Sequence, residues 1–308
     1  MKTVLIGGGS GMIGMRLSHI LRDEGYKVHH LSRKADPTAE FPAFGWDLKT
    51  GTIDETAVER ADYIINLTGA GIADGRWTEK RKKIIIDSRV NSAHLFGKTI
   101  QKLDKKPQAY LSSAAIGYYG NRGDERLHET DAPGEGFLTE SCLAWEKSIH
   151  DVSDSGLRTV GLRIGVVLSI KGGALQKMLI PLHFFVATYF GNGRQWYSWI
   201  HIDDLCRMFQ LAMENDQMSG FYNAVAPQPE TNKDFTKILA KAAGKPAVVM
   251  PVPSLGLRLI FGEMADTILF STKVSSEKIE QAGFEFRFPQ LEEALEDVLG
   301  DASCGGVT

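Results

Sequence analysis

Over the first half of the chain, apolar residues fall in short unbroken runs separated by stretches where they recur every third or fourth position. The run at 2–8 (KTVLIGG) is apolar and β-branched, as expected of a parallel strand buried on both faces. After it, Ile13, Leu17, Ile20 and Leu21 share one helical face, and Gly25 is a stop. Further strands are expected at 27–33, 61–69, 107–115 and 158–169, with helices at 54–61, 79–103 and 140–156 between them. Such alternation predicts an α/β fold, a doubly wound parallel sheet with helices on both faces. The rhythm changes after residue 168. Gly172 and Gly173 open an apolar, helix-like segment at 174–190, followed by the turn-rich aromatic stretch GNGRQWYSWIH. A capped helix is expected at 201–215, with Asp203 as its cap, and a strand at 220–227. The remainder reads as mostly helical with short extended pieces. The tail after residue 300 is small and polar, a composition expected to be disordered.

The first strand runs directly into glycines spaced GxxGxxG at Gly8, Gly11 and Gly14. A dinucleotide site needs glycine at each place. Gly8 suits a sharp strand-to-helix turn, and Gly11 lets the backbone approach a pyrophosphate. Gly14 allows close packing of the helix. Ser10, Met12 and Ile13 belong to the same turn, where free helix amides and the positive dipole end face the phosphates. The flanking strand, helix and second strand supply the context the motif requires, so the first unit reads as Rossmann-type. The second strand ends in Ser32, Arg33 and Lys34 where an NAD site usually has an acid for the ribose hydroxyls. A guanidinium there suits the 2′-phosphate, so NADP(H) is expected over NAD(H). Asp47, with Leu48 beside it, is a candidate for the adenine or else an ordinary turn residue.

Together with NLTGAG at 66–71, SSAAIGYYG at 112–120, LRIGVVL at 162–168 and WIHIDDL at 199–205, the glycine loop resembles the extended or atypical short-chain dehydrogenases/reductases. More narrowly, RWTEKRKKIIIDSR, LAWE, GGAL and GFEFRFPQLEEAL make the chain similar to the epimerase family branch related to NAD(P)-dependent nucleotide-sugar epimerases. The resemblance implies an NADP-binding domain over 1–168 to which the chain returns at 196–226. It also implies a smaller C-terminal cap domain over 169–300 and a substrate cleft between the two. Leu67, Thr68 and Gly69 would border the nicotinamide-side ribose, and Ser112 and Ser113 would end a strand beside the nicotinamide. Asn91 would position a water or stabilise its helix, and Arg163 and the His201–Asp203–Asp204 segment would help shape the cleft between the two domains.

Members of this group usually carry Tyr-x-x-x-Lys on the helix after the SSxxxYG strand. The lysine lowers the phenol's pKa and contacts the nicotinamide ribose, and the phenol moves the proton. Here that helix reads FLTESCLAWEK, with Leu138 and Cys142 at the two places. None of the eight tyrosines has a lysine four residues later. Two readings follow. In one, the protein is an NADP-dependent oxidoreductase or epimerase whose acid/base is relocated to Tyr118 or Tyr119, with Ser113 sharing the hydrogen bond. Glu140, Glu146 or Cys142 are less direct substitutes. In the other, it is a non-catalytic NADP(H)-binding sensor or scaffold. On the substrate side, Trp77 with Arg76 and Arg81 forms one candidate rim. Arg194, Trp196 and Trp199 form another, and this mixture suits a small polar or anionic molecule.

Composition narrows the partners. The 308 residues are 43% hydrophobic and carry a net charge of −3, enough for a large core and without a basic surface for nucleic acid. No uncharged apolar run is long enough to span a bilayer, and the start reads as a strand rather than a leader, so a cytoplasmic location is expected. Three scattered cysteines and eight scattered histidines argue against a disulfide framework and against a metal centre.

Overall fold

The computed structural model describes residues 1–304. Its strands are β1 (Thr3–Gly7), β2 (Lys27–Ser32), β3 (Ala43–Asp47), β4 (Thr52–Ile53), β5 (Tyr63–Asn66), β6 (Ala109–Ala115), β7 (Arg126–Leu127) and β8 (Arg158–Ile164). They continue with β9 (Val166–Leu168), β10 (Val186–Phe190), β11 (Trp196–Tyr197), β12 (Trp199–His201), β13 (Gly220–Ala224), β14 (Glu230–Thr231), β15 (Val248–Val252) and β16 (Lys273–Val274). The helices are α1 (Met12–Asp23), α2 (Glu55–Glu59), α3 (Glu79–Gln101), α4 (Phe137–Ser153), α5 (Gly173–Leu179) and α6 (Ile202–Glu214). They continue with α7 (Asn232–Ala242), α8 (Ser254–Phe261), α9 (Asp266–Leu269), α10 (Glu277–Gln281) and α11 (Leu291–Cys304).

The central sheet has the order β13-β8-β6-β5-β1-β2-β3-β4, parallel throughout except for the β3–β4 pair. Val4, Leu5 and Ile6 are fully buried because β1 lies at the centre with helices above and below. On one face Leu17 and Leu21 of α1 meet Leu205, Met208 and Phe209 of α6. On the other, Val58 of α2, Phe96 of α3 and Ile149 of α4 pack on Leu5, Ile64 and Tyr110. A separate core forms around Leu175, Trp199, Phe235, Leu239, Leu291 and Leu295. The doubly wound α/β architecture expected from the alternation is thus present. Polar side chains start several helices. Asp54 accepts from Ala57 N, Thr78 from Arg81 N and Thr231 from Asp234 N.

The structure departs from the sequence reading in five places. β3 and β4 were not expected, because FGWD and TI are too short to show periodicity. The strand expected at 158–169 breaks at Gly165, where a Cβ would collide with Ser198 O, and β9 pairs with β12 instead of the main sheet. The apolar segment 174–190 is not one helix: Pro181 follows α5, a 3₁₀ turn spans Pro181–Phe184, and β10 comes after it. The cap of α6 is His201, whose Nδ1 accepts from Asp203 N at 3.1 Å, rather than Asp203. Asp203 instead binds Arg16 of α1 through two hydrogen bonds of 2.6 Å. α11 extends through Cys304, and the rest of the expected tail lies outside the described residues.

Candidate functional site

The glycine loop is shaped by contacts that leave no room for side chains. Gly8 has φ +76°, and a Cβ there would stand 2.9 Å from the Leu67 carbonyl group. A Cβ on Gly14 would lie 2.6 Å from the carbonyl oxygens of both Gly8 and Gly9, so this glycine closes helix against loop rather than helix against sheet. Gly9, which the motif does not single out, packs on the His30 ring, which a Cβ would overlap. Gly11 caps α1 with exposed backbone, no side-chain cap bonds the helix start, and no acid occupies its first turn. Ser10 is exposed beside it, Met12 and Ile13 are half-buried, and Met12 reaches across to Gly172 and Gly173. A helix start of this kind fits a phosphate.

The strand ends on either side of β1 lie next to this loop. Ser32 is half-buried and its Oγ accepts from Lys34 N at 3.4 Å, while Arg33 is exposed. Asp47 Oδ1 accepts from Lys49 N at 2.8 Å, so the carboxylate serves its own turn, and Leu48 packs on the α2–α3 side of the core. Leu67 N donates to Gly7 O, and Thr68 N to Asn66 Oδ1. Thr68 Oγ1 is buried without a hydrogen-bond partner, an orphan polar atom beside the glycine loop. Asn66 is held by Ser92 Oγ and Tyr110 Oη at 2.9 Å each. Ser92 therefore braces this region, while Asn91, to which the resemblance points, is exposed.

Beyond the end of β6 lies a cavity of about 280 Å³. Its lining includes Ala115 and Gly117 after β6, Cys142 and Trp145 of α4, Arg89 of α3, Trp196 and Asp266. Its chemistry differs from the expectation. Ser112 is fully buried and its Oγ donates to the carbonyls of Asn66 and Ser113. Ser113 Oγ donates to Asn66 O at 3.3 Å and does not line the cavity, whereas Ala115, on the same face at the strand's end, does. Tyr119 is completely buried. Its hydroxyl donates to Asn223 Oδ1 at 2.7 Å and accepts from Arg163 Nη1 at 2.8 Å, and burial pushes its pKa up to about 12. The Tyr118 ring lies under the Arg163 guanidinium, 3.7 Å from its centroid, and does not line the cavity either. Both tyrosines are packing for Arg163, which also binds Glu146 of α4. The tyrosine that does line the cavity is Tyr197. Its hydroxyl donates to Ile268 O at 2.8 Å, and burial raises its pKa.

The expected aromatic rim is divided. Trp199 is fully buried with its indole N–H on Gln228 O, a core residue rather than a substrate contact. Trp196 lines the cavity, donates to Asp124 at 2.7 Å and lies under Lys273. Arg194 is exposed and lines a different, open cavity of about 710 Å³ with Asn192, Ser254 and Arg258. Trp77 packs edge-on against Phe137 and donates to Ile72 O, which places it behind the cavity wall. His201 and Asp204 are structural: Asp204 accepts from the backbone amides of Arg287 and Phe288.

Among the groups lining the cavity, burial pushes the Cys142 thiol up to about 12. The carboxyl of Asp266 is also raised, first by burial, with Arg258 opposing. Arg89 and Asp266 carry the cavity's charge; Arg89 ends the stretch RWTEKRKKIIIDSR without any spacing that marks it as a site residue, and Asp266 belongs to no motif. Among the described residues, no cluster of ligating side chains could hold a metal, and no helix is long and apolar enough to cross a membrane.

The chain matches the NAD dependent epimerase/dehydratase family over residues 4–224 and a domain of unknown function, DUF1731, over residues 252–298. It is 36% identical over 297 residues to the epimerase family protein YfhF of Bacillus subtilis, covering 96% of this chain and 97% of that one. It is 35% identical to the epimerase family protein SDR39U1 of Mus musculus, covering 96% and 99%. The crystal structure of human SDR39U1 (isoform 2) with NADPH superposes with a TM-score of 0.88 at 31% identity, covering 97% of this chain and 99% of that chain.

Proposed function

The chain belongs to the NAD dependent epimerase/dehydratase family, and on that footing we propose that it is an NADP(H)-dependent oxidoreductase or epimerase of a small polar molecule. The end of β2 carries the cofactor choice. Ser32 and Arg33 stand where an acid would accept from the ribose 2′-hydroxyl, and a carboxylate there would repel a 2′-phosphate. Arg33 is exposed and pairs with no carboxylate among the described residues, so its guanidinium is available to that phosphate. The NADPH in the human SDR39U1 structure supports the same choice. Gly11 and the α1 amides would hold the pyrophosphate, and Thr68 Oγ1 the nicotinamide-side ribose or phosphate. When bound, the cofactor supplies or accepts a hydride.

The chain's own contribution is to shape the cavity and to move a proton. With Tyr118 and Tyr119 committed to Arg163, we assign the proton to Asp266, which lines the cavity with Oδ1 3.0 Å from Arg258 and whose carboxyl pKa is raised by burial above its usual range. Trp196 and Trp145 offer flat apolar walls. A non-catalytic NADP(H)-binding role is favoured instead by the bonding of the Tyr197 hydroxyl to a backbone carbonyl. The two readings part on one experiment. Titrate the protein and Arg33→Ala with NADPH and NADH, then assay NADPH oxidation over a carbonyl panel with wild type and Asp266→Asn. Arg33→Ala should weaken NADPH far more than NADH, and Asp266→Asn should abolish any turnover. Equal losses for the two cofactors refute the 2′-phosphate assignment, and tight NADPH binding without oxidation favours the regulator.

A further inference from the structure

Cys142 occupies the place where the family's helix carries its lysine, and a cation from another helix stands beside it. Arg89 extends from α3 into the cavity that Cys142 lines, with its guanidinium 4.7 Å from the Trp145 ring. We propose that Arg89 replaces the missing lysine, delivering to the nicotinamide-side ribose, from α3, the cation that related proteins deliver from α4. This rests on the NADP(H) reading above.

Three observations carry it. First, Arg89 Nη1 is anchored by the carbonyls of Ala70, at 3.1 Å, and Ile85, at 2.9 Å, so the fork is held in one orientation. Its other edge, Nε and Nη2, has no hydrogen-bond partner among the described residues. Second, the guanidinium lies face-on over Gly69. A Cβ at residue 69 would sit 2.9 Å from Cζ, 3.1 Å from Nη2 and 3.2 Å from Nε, over the flat face of the guanidinium, so only glycine lets that plane rest here. Two parallel N–H groups suit two adjacent oxygens, and the vicinal hydroxyls of a ribose are such a pair. Third, Arg89 forms no ion pair with a carboxylate among the described residues, although it is largely withdrawn from water. Burial lowers its pKa, the Cys142 thiol beside it opposes this, and Arg81 adds to it. A cation held this way is a cost to the fold unless something polar meets it. Gly69 and Thr68 belong to the stretch that the resemblance places beside the ribose, so the fork and the ribose would meet at one place.

The test uses the whole protein and two probes. NADPH contains the nicotinamide-side ribose, whereas adenosine 2′,5′-bisphosphate reproduces only the adenine end. Arg89→Met should weaken NADPH by about tenfold or more while changing the bisphosphate by less than about twofold. Arg89→Lys, which keeps the charge but loses the paired N–H groups, should recover only part of the NADPH affinity. Retained bisphosphate binding also shows that the variant is folded. Wild-type NADPH affinity in Arg89→Met overturns the proposal, as does an equal loss for both probes, which marks a structural role. If the wild-type protein binds the bisphosphate and NADPH equally weakly or not at all, the cofactor reading fails instead.

Discussion

Glu146 of α4 accepts two hydrogen bonds of 2.8 Å from Arg163 of β8, and both side chains are buried. The pair fastens the helix that lacks the usual tyrosine and lysine to the strand beside the cavity. Removing one partner strands the other as an uncompensated buried charge, which costs about 3–5 kcal/mol. Arg163→Met should therefore lower the unfolding free energy by about that much, read as an earlier midpoint in urea. The double variant Arg163→Met/Glu146→Leu should be more stable than Arg163→Met alone. A double variant no better than the single would show that the ion pair is not what the mutation breaks.

Tyr119 is tied to the same cation, and its hydroxyl is a structural link from Arg163 to Asn223. Tyr119→Phe leaves Asn223 Oδ1 without that donor and should cost about 1–3 kcal/mol. Its effect on NADPH affinity should be negligible, because the ring lies outside the cavity. Calorimetry and a fluorescence titration on the same sample decide this. An intact melting profile combined with loss of NADPH-linked turnover would return Tyr119 to the chemistry.

Long-range order was readable from the sequence wherever several periods of pattern accumulate. α1, α3, α4 and the buried strands β1, β6 and β8 lie where apolar spacing puts them. β3 and β4 were hidden by brevity, and residues 174–190 by an apolar run that suits helix and strand alike. At the site, the glycine spacing identified the loop but missed Gly9, because its constraint is the His30 ring, which lies on a different strand. The exchange of Tyr-x-x-x-Lys for Leu138 and Cys142 was visible. What stands in its place was not, because Arg89 and Asp266 meet at the cavity only through tertiary packing. The aromatic stretch misled for a related reason: Trp196 and Trp199 are three residues apart, yet one faces the cavity and the other the core.

His30 makes stability depend on pH. Its ring is stacked on Phe41 and its Nε2 is 2.7 Å from Ser18 Oγ. Burial first, and then His29, pull its pKa from 6.5 to about 4. Between those values the unfolded chain holds a proton that the folded chain does not, so the neutral ring's contribution is full above pH 6.5 and is lost as pH falls toward 4. By linkage this amounts to about 3 kcal/mol. His30→Gln should be less stable at pH 7 and show a flatter decline between pH 6.5 and 4. Parallel curves for variant and wild type would assign the acid sensitivity elsewhere.

The glycines of the loop divide into those the fold requires and one, Gly11, that only a bound pyrophosphate would require. Alanine at Gly14 would press a methyl to within 2.6 Å of two carbonyl oxygens, and alanine at Gly9 would overlap the His30 ring. Neither neighbour is the free end of a flexible chain, so both variants should lose about 1–3 kcal/mol of stability as well as cofactor affinity. Gly11 differs. It has φ −76°, which any residue adopts, and its Cβ would meet only Gly8 O, at 3.3 Å. Gly11→Ala should thus melt close to wild type, yet its methyl would stand where a pyrophosphate approaches the exposed helix start. NADPH affinity should fall by about tenfold or more in a protein that remains folded. A Gly11→Ala protein that binds NADPH as tightly as wild type would place the phosphates away from the start of α1.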